Sequence, residues 1–105
     1  MNTPAHEVLD LDALRREIDR IDTELVALFS ARMQVSAAVA EYKRRTGKAV
    51  TDPVREAALL ERVAALSPAE TADCTRALYE RILSLSRDYQ RAKLSNASPC
   101  EKEHN

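Results

Sequence analysis

The sequence predicts an all-α protein with three helices per chain, one long, one short and one of medium length. Its 105 residues include one glycine, four prolines and few aromatic residues. Ala, Leu, Glu and Arg, which favour helices, are abundant instead. Apolar residues recur at alternating steps of three and four, the spacing of one helix face. With 45% hydrophobic and 31% charged residues, the chain has enough apolar side chains to fold as one domain.

The first helix is predicted to run from an N-cap at Asp10 or Asp12 to about Arg45, where Gly47 supplies a C-terminal stop. Its apolar positions form a heptad seam: Leu11, Leu14, Ile18, Ile21, Leu25, Leu28, Val35, Val39 and Tyr42. About 35 residues at ~1.5 Å each make a rod of roughly 50 Å, whereas a compact domain of this size is roughly 25–30 Å across. Two shorter helices cannot cover that rod, so we expect a second copy of the chain to do so.

The second helix is predicted to start at Pro53 and to end near Leu66. Asp52, just before it, is a favourable N-cap. Proline is favoured at the first helical position, because the N–H group that it lacks would have no partner there. The stretch that begins at Asp52 therefore indicates the short helix.

The third helix is predicted to follow a capping box, with Ser67 at the cap and Glu70 three residues on, and to end near Leu94. The segments at either end of the chain have no helical period. We expect residues 1–9 to form a flexible arm and residues 95–105 to form a disordered polar tail. Residues 10–94 are then the helical domain.

Composition excludes several classes of function. With 16 Lys+Arg and 17 Asp+Glu the net charge is −1. The chain therefore lacks the excess of positive charge that is typical of proteins that bind nucleic acid or an anionic membrane. A single glycine excludes glycine-rich phosphate loops. Cys74, Cys100, His6 and His104 lack ligand spacing, so we expect neither a metal site nor a disulfide. No apolar run approaches the ~20 residues of a membrane span and no signal peptide is evident, so we expect a cytoplasmic location.

Arg32 breaks the heptad seam, at a position that should be apolar. A buried guanidinium is unfavourable by several kcal/mol unless it is paired. Arg32 therefore fixes the register of a coiled coil, reaches solvent from the edge of the seam, or binds an anion. Lys43, about three turns further on nearly the same face, either complements the helix dipole or reaches towards the same point as Arg32. Arg15 either stays exposed or, in an antiparallel dimer, approaches the middle of the other chain's helix.

Polar residues of the second and third helices have two interpretations each. Asp52, Arg55 and Glu56 either cap the second helix and carry solvated charges or contribute to a site. Ser86 and Gln90, spaced i and i+4, either face a buried site or mark the fraying end of an apolar stripe. Taken together, these residues supply several cations, an acid and a neutral amide, without a nucleophile–base pair or a cofactor cradle. That set suits the binding of a small dianion whose reaction requires a fixed conformation and electrostatic stabilisation rather than covalent catalysis.

Several motifs occur together along the chain. They are the opening LRREIDRIDTELVALFSAR, Lys43 after Arg32, the D-x-x-R-E run within TDPVRE, and a closing S-x-x-x-Q. Over about residues 11–92 this pattern resembles the all-helical chorismate mutases. The resemblance implies an intertwined homodimer of three-helix chains with two identical active sites. It also implies the Claisen rearrangement of chorismate to prephenate in aromatic amino-acid biosynthesis, without a cofactor.

The resemblance also implies the residues that hold the reacting ends of the substrate. Arg32 and Arg15 of the partner subunit would bind the two carboxylates. Lys43 and Gln90 would donate hydrogen bonds to the ether oxygen, where negative charge develops as its bond breaks. The catalytic residues would then be Lys43, Gln90 and Arg32.

The remaining residues of the family pattern would bind the substrate ring. Glu56, with the backbone near Asp52, would hold the ring hydroxyl. Arg55 and Ser86 would complete the shell around the substrate. Nothing after residue 95 resembles a prephenate-processing domain, so the chain is similar to the stand-alone form of the family.

Three alternatives remain open at this point. A 4-amino-4-deoxychorismate mutase would have the same residues, because Glu56 would accept a hydrogen bond from an ammonium as readily as from a hydroxyl. An isochorismate pyruvate-lyase shares the cationic residues, although the intact Asp52-x-x-Arg55-Glu56 run favours the mutase. The chain would otherwise be a non-catalytic helical dimer that regulates another enzyme.

Overall fold

The computed structural model describes residues 10–95, which form three α-helices and a short 3₁₀ helix, with no β-strand among them. The helices are α1 at Leu11–Thr46, α2 at Pro53–Leu66 and α3 at Ala72–Ser95, with 36, 14 and 24 residues. The all-α class and the order long, short, medium are therefore confirmed. The predicted arm at residues 1–9 lies outside the described residues. So does the predicted tail, except that Ser95 is the last residue of α3.

Local signals at both ends define α1. The Asp10 Oδ1 atom accepts hydrogen bonds from the backbone N–H groups of Asp12 at 3.0 Å and Ala13 at 3.4 Å, so Asp10 caps the helix. At the other end Gly47 has φ +73, in the left-handed region that favours glycine. The N–H of Lys48 can then donate to a carbonyl of the last turn, and this bond closes the helix.

The start of α2 confirms its predicted cap. The Asp52 Oδ1 atom accepts a hydrogen bond from the backbone N–H of Arg55 at 3.1 Å, and proline occupies the first turn. The helix ends at Leu66, and the N–H of Ser67 donates to Ala64 O at 3.2 Å. The capping interpretation of Asp52 is thus confirmed, and any further role of its carboxylate stays a prediction.

The predicted capping box at Ser67 is wrong. The Ser67 hydroxyl donates to the carbonyl of Val63 at 3.0 Å, towards the preceding helix. Pro68 is extended, with φ −57 and ψ 149, and the 3₁₀ helix Ala69–Thr71 begins after it without a side-chain cap. Because Pro68 is not helical, Ser67 lies too far back to cap the next helix. α3 consequently begins at Ala72.

The chain divides into two units, Met1–Arg32 and Met33–Asn105. In the second unit α2 packs against α3 through a small core of Leu59, Val63 and Leu83, with Leu60 and Tyr79 against it. Two ion pairs link the helices: Glu56 of α2 pairs with Arg87 of α3, and Glu61, further along α2, pairs with Arg76, which comes earlier in α3. The two helices are therefore antiparallel.

The first unit is described from residue 10, where it consists of the N-terminal two thirds of α1. Leu14 of the seam is half-buried, and the unit's other five seam residues are 45–69% exposed: Leu11, Ile18, Ile21, Leu25 and Leu28. None of its described residues is buried. An apolar stripe of this length is therefore left uncovered by this unit itself.

Over residues 10–95, none of the helices is both long enough and apolar enough to cross a membrane.

Candidate functional site

The predicted site residues divide between the two units. Arg15, which is exposed, and Arg32, which is half-buried, lie on α1 in the first unit. The other predicted residues lie in the second unit: Lys43, Asp52, Arg55, Glu56, Ser86 and Gln90.

Gln90 is a buried amide with an unused acceptor. The residue lies on α3 and is 7% exposed, and its Oε1 atom has no hydrogen-bond partner among the described residues. A buried polar atom without a partner is unfavourable by about 1–3 kcal/mol. Since a 180° rotation of an amide exchanges its oxygen and nitrogen, the same position can present a donor. Gln90 therefore has hydrogen-bonding capacity that the other described residues do not use.

Ser86 forms a buried hydrogen bond that the sequence did not reveal. Its Oγ atom lies 2.8 Å from the Oγ of Ser36 on α1, and the two residues are 6% and 8% exposed. One hydroxyl donates to the other, which leaves one O–H of the pair for a further acceptor. The pair joins α3 to the C-terminal part of α1, one helical turn before Gln90.

Lys43 is half-buried near the end of α1. Its Nζ atom donates to the carbonyl of Val50 at 2.8 Å, in the segment between α1 and α2. An ammonium has three donors, so this bond leaves two for other acceptors. Within residues 10–95 Lys43 forms no ion pair, and its positive charge is therefore not neutralised by a carboxylate.

Glu56, in the first turn of α2, pairs with Arg87 of α3. Its Oε1 atom accepts a hydrogen bond from Arg87 Nη1 at 2.5 Å, and the side chains are 22% and 29% exposed. Arg55 next to it is exposed. The acid of the predicted site is thus half-buried and already bound to a cation.

Long-range hydrogen bonds bring the predicted residues of the second unit to one junction. Lys43 bonds to Val50, and the adjacent Thr51 Oγ1 accepts from Arg91 Nη2 at 2.9 Å. The Glu56–Arg87 and Ser36–Ser86 bonds complete the connection. The end of α1, the segment before α2, the first turn of α2 and the residues 86–91 of α3 therefore meet in one region.

Sequence reasoning missed Ser36, Arg87 and Arg91, which hold this junction together. The signal for the arginines was present, because positions 86, 87, 90 and 91 form one continuous polar stripe at helical spacing. Ser36 carried no signal, since a lone serine within a helix is ordinarily a solvated residue. Its role depends on a partner that lies 50 residues away.

The arrangement offers hydrogen-bond donors and positive charge rather than a reactive nucleophile. Among residues 10–95 no group of three or more His, Cys, Asp or Glu side chains is placed to bind a metal ion. The junction combines an ammonium with spare donors, a buried amide, a buried hydroxyl pair and a paired carboxylate. Such a set can bind and orient an anion that carries a hydroxyl.

Comparison with known proteins gives a family match over most of the chain. The model of the family chorismate mutase type II matches residues 14–91. All the predicted site residues fall within that range. No solved structure matches the chain.

Curated relatives match shorter stretches. The chain is 38% identical over 61 residues to the intracellular chorismate mutases of Mycobacterium tuberculosis and Mycobacterium bovis, which covers 58% of this chain and 58% of each relative. It is 42% identical over 53 residues to the T-protein of Enterobacter agglomerans, which covers 50% of this chain and 14% of that protein. The chain thus spans little more than half the length of the mycobacterial relatives.

Proposed function

Because the chain belongs to the chorismate mutase type II family, we propose that it catalyses the rearrangement of chorismate to prephenate. The observation that carries the proposal is Gln90, a buried amide without a partner for its Oε1 atom, within the range that the family model matches. The proposal extends to a role in aromatic amino-acid biosynthesis and to a cytoplasmic location. The mycobacterial relatives are named intracellular chorismate mutases, which supports the location.

The reaction makes limited chemical demands. An ether C–O bond of chorismate breaks while a C–C bond forms within the same molecule, so no proton, electron pair or group leaves the substrate. A catalyst has to hold the compact conformer in which the two ends meet. It also has to stabilise negative charge on the ether oxygen in the transition state. These demands require neither a cofactor nor a metal.

Lys43 and Gln90 are the proposed donors to the ether oxygen. The free donors of Lys43 and its unpaired charge support this role, as does the unpartnered amide of Gln90. Removal of one such donor typically lowers the rate by about 10²–10³-fold. Both groups belong to the junction described above, and neither needs to transfer a proton.

The substrate carboxylates are assigned to Arg32 and to Arg15 of the partner subunit. This part of the proposal makes the protein a homodimer, in which each site takes an arginine from both chains. The apolar seam of the first unit, five of whose six residues are 45–69% exposed, supports a dimer because a second copy would bury it. The dimer is intertwined in this proposal, as in the family that the sequence resembles.

The ring of the substrate is assigned to the first turn of α2 and to α3. Glu56 accepts a hydrogen bond from the ring hydroxyl, and the backbone near Asp52 assists it. Support comes from the half-buried position of Glu56 and from its Oε2 atom, which forms no hydrogen bond within the described chain. Arg55 and Ser86 complete the surroundings of the substrate.

The test is the loss of chorismate absorbance in the ultraviolet, with the products separated by chromatography. Wild-type protein should form prephenate, and Arg32→Ala should lose at least about 10²-fold in kcat/KM, as expected for an interaction with a charged group. Arg16→Ala is the matched control, because Arg16 is an exposed arginine on the same helix. Absence of prephenate from the wild type, or equal losses in the two variants, would contradict the proposal.

A further inference from the structure

The Glu56–Arg87 ion pair changes what the Glu56 carboxylate can select. The Oε1 and Nη1 atoms are 2.5 Å apart, and both side chains are more than two thirds buried, at 22% and 29% exposure. A carboxylate and a guanidinium at contact distance form a unit with no net charge. A ligand group that approaches Glu56 therefore also meets the positive charge of Arg87.

This matters for the two substrates that the sequence alone does not distinguish. Chorismate carries a neutral hydroxyl at the ring position assigned to Glu56, whereas 4-amino-4-deoxychorismate carries an ammonium there. A lone carboxylate would attract the ammonium more strongly than the hydroxyl. A carboxylate that is already paired still accepts a hydrogen bond from a hydroxyl, but an ammonium beside it is repelled by the guanidinium.

We propose that Arg87 is a specificity-determining residue, which neutralises Glu56 so that the site accepts a neutral ring hydroxyl and disfavours an ammonium. The inference rests on the proposed function, since it uses the assignment of Glu56 to the ring substituent. Arg87 acts through Glu56 and is a positioning residue rather than a catalytic one. It also fixes the Glu56 side chain against α3, so that Oε2 is left to accept from the substrate.

The same two helices supply a matched control. Arg76 of α3 pairs with Glu61 of α2 at 3.2 Å, with side chains 35% and 77% exposed. This pair has the same residue types and links the same helices, but it lies outside the junction that holds the predicted site. Loss of Arg76 also removes an α2–α3 ion pair, although a more exposed one, without changing the charge beside Glu56.

The experiment measures kcat/KM for chorismate and for 4-amino-4-deoxychorismate with wild type, Arg87→Met, Arg87→Lys and Arg76→Met. The readout is the ratio of the two values, because partial unfolding lowers both equally and cancels. Wild type should prefer chorismate. Arg87→Met should raise the relative use of the amino substrate about tenfold or more, because like charges roughly 5 Å apart near a protein surface repel at least that strongly. Arg87→Lys and Arg76→Met should keep the wild-type ratio.

Each result has a distinct meaning. A wild type that uses chorismate, together with an unchanged ratio in Arg87→Met, would overturn the role of Arg87. So would an equal change in Arg76→Met, or a wild type that prefers the amino substrate. A wild type without activity on chorismate contradicts the proposed function itself and removes this inference with it.

A second set of variants covers the case in which Arg87→Met does not fold, as judged by circular dichroism. Arg87→Gln removes the charge but keeps a donor to Glu56, and its ratio should also shift towards the amino substrate. Glu56→Gln leaves the guanidinium without its carboxylate. It should lower kcat/KM for the amino substrate more than for chorismate, and equal losses would count against the proposal.

Discussion

The buried hydroxyl pair of Ser36 and Ser86 allows a prediction of stability from geometry. The two Oγ atoms are 2.8 Å apart, an ordinary O–H···O distance, and the residues are 8% and 6% exposed. Ser36→Ala or Ser86→Ala leaves the other hydroxyl without this partner, in a place where water has little access. Each single change should therefore lower the free energy of unfolding by about 1–3 kcal/mol.

The double variant behaves differently. When both hydroxyls are replaced, no polar group is left unsatisfied, and the loss should fall below the sum of the single changes by about 1 kcal/mol or more. The free energy of unfolding is measured by urea titration, monitored by circular dichroism, for wild type, the two single variants and the double variant. One protein concentration has to be used throughout, because the stability of the proposed dimer would depend on it.

The two serines are expected to differ in their effect on catalytic activity. Ser36 anchors α3 without an assigned contact to substrate, whereas Ser86 is assigned to the substrate shell. Ser86→Ala should therefore lower kcat/KM for chorismate more than Ser36→Ala does at similar stability. Single changes that cost less than about 0.5 kcal/mol, or additive losses in the double variant, would refute the reasoning about the pair.

Two further predictions rest on the proposed function and a third on the ion pairs of α1. Arg15→Ala and Arg32→Ala should each be nearly inactive alone, but a mixture of the two should regain about a quarter of wild-type activity. The reason is that random pairing of subunits gives about half heterodimers, and each heterodimer has one intact site of two. No recovery after subunit exchange would refute the assignment of Arg15 across the interface. Gln90→Glu should be active only towards acid pH, where the carboxyl is protonated and donates, and a flat pH profile would overturn the donor role. Hydrogen bonds from Arg44 and then Arg45 lower the pKa of Glu41 to about 2, from 4.5. Its contribution to stability is therefore complete above about pH 4.5 and is lost as the pH falls through about 2. Because the pair is exposed, the effect is small, and wild type should lose slightly more stability in urea unfolding over this pH range than Glu41→Gln does; equal losses would contradict the prediction.

The helices could be predicted from the sequence because their signals are local. Asp10, Asp52 and Gly47 act on backbone groups within a few residues, and each occupies its expected place. Ser67 had the same kind of signal but a choice of partners: instead of accepting from N–H groups of the next helix, its hydroxyl donates to the carbonyl of Val63 in α2, and the extended Pro68 separates it from the next helix. A helix cap can be predicted from sequence only where the backbone next to the capping residue has one conformation open to it.

The site was predictable in its residue types but not in its pairings. Arg32 stood out because it breaks an apolar seam and Gln90 because it continues an apolar stripe, whereas Lys43 and Glu56 were assigned through the resemblance to a known family. Their partners follow from how distant helices dock, and sequence periodicity carries no information on that. Glu56 was expected to bind a ligand, and nothing in its neighbourhood along the chain indicated that Arg87 would bind it as well. The chemical roles of these residues stay predictions.

The hydrogen bonds of the junction connect residues that are far apart in the order of synthesis. Ser36 bonds to a residue 50 positions later, Thr51 to one 40 positions later and Glu56 to one 31 positions later. A nascent chain that has been made only as far as Leu83 already contains α1 and α2 in full, yet it holds none of the three partners. The junction therefore cannot form until α3 has been made as far as Arg91, and a chain that ends between Glu56 and Arg87 exposes an unpaired carboxylate to other proteins.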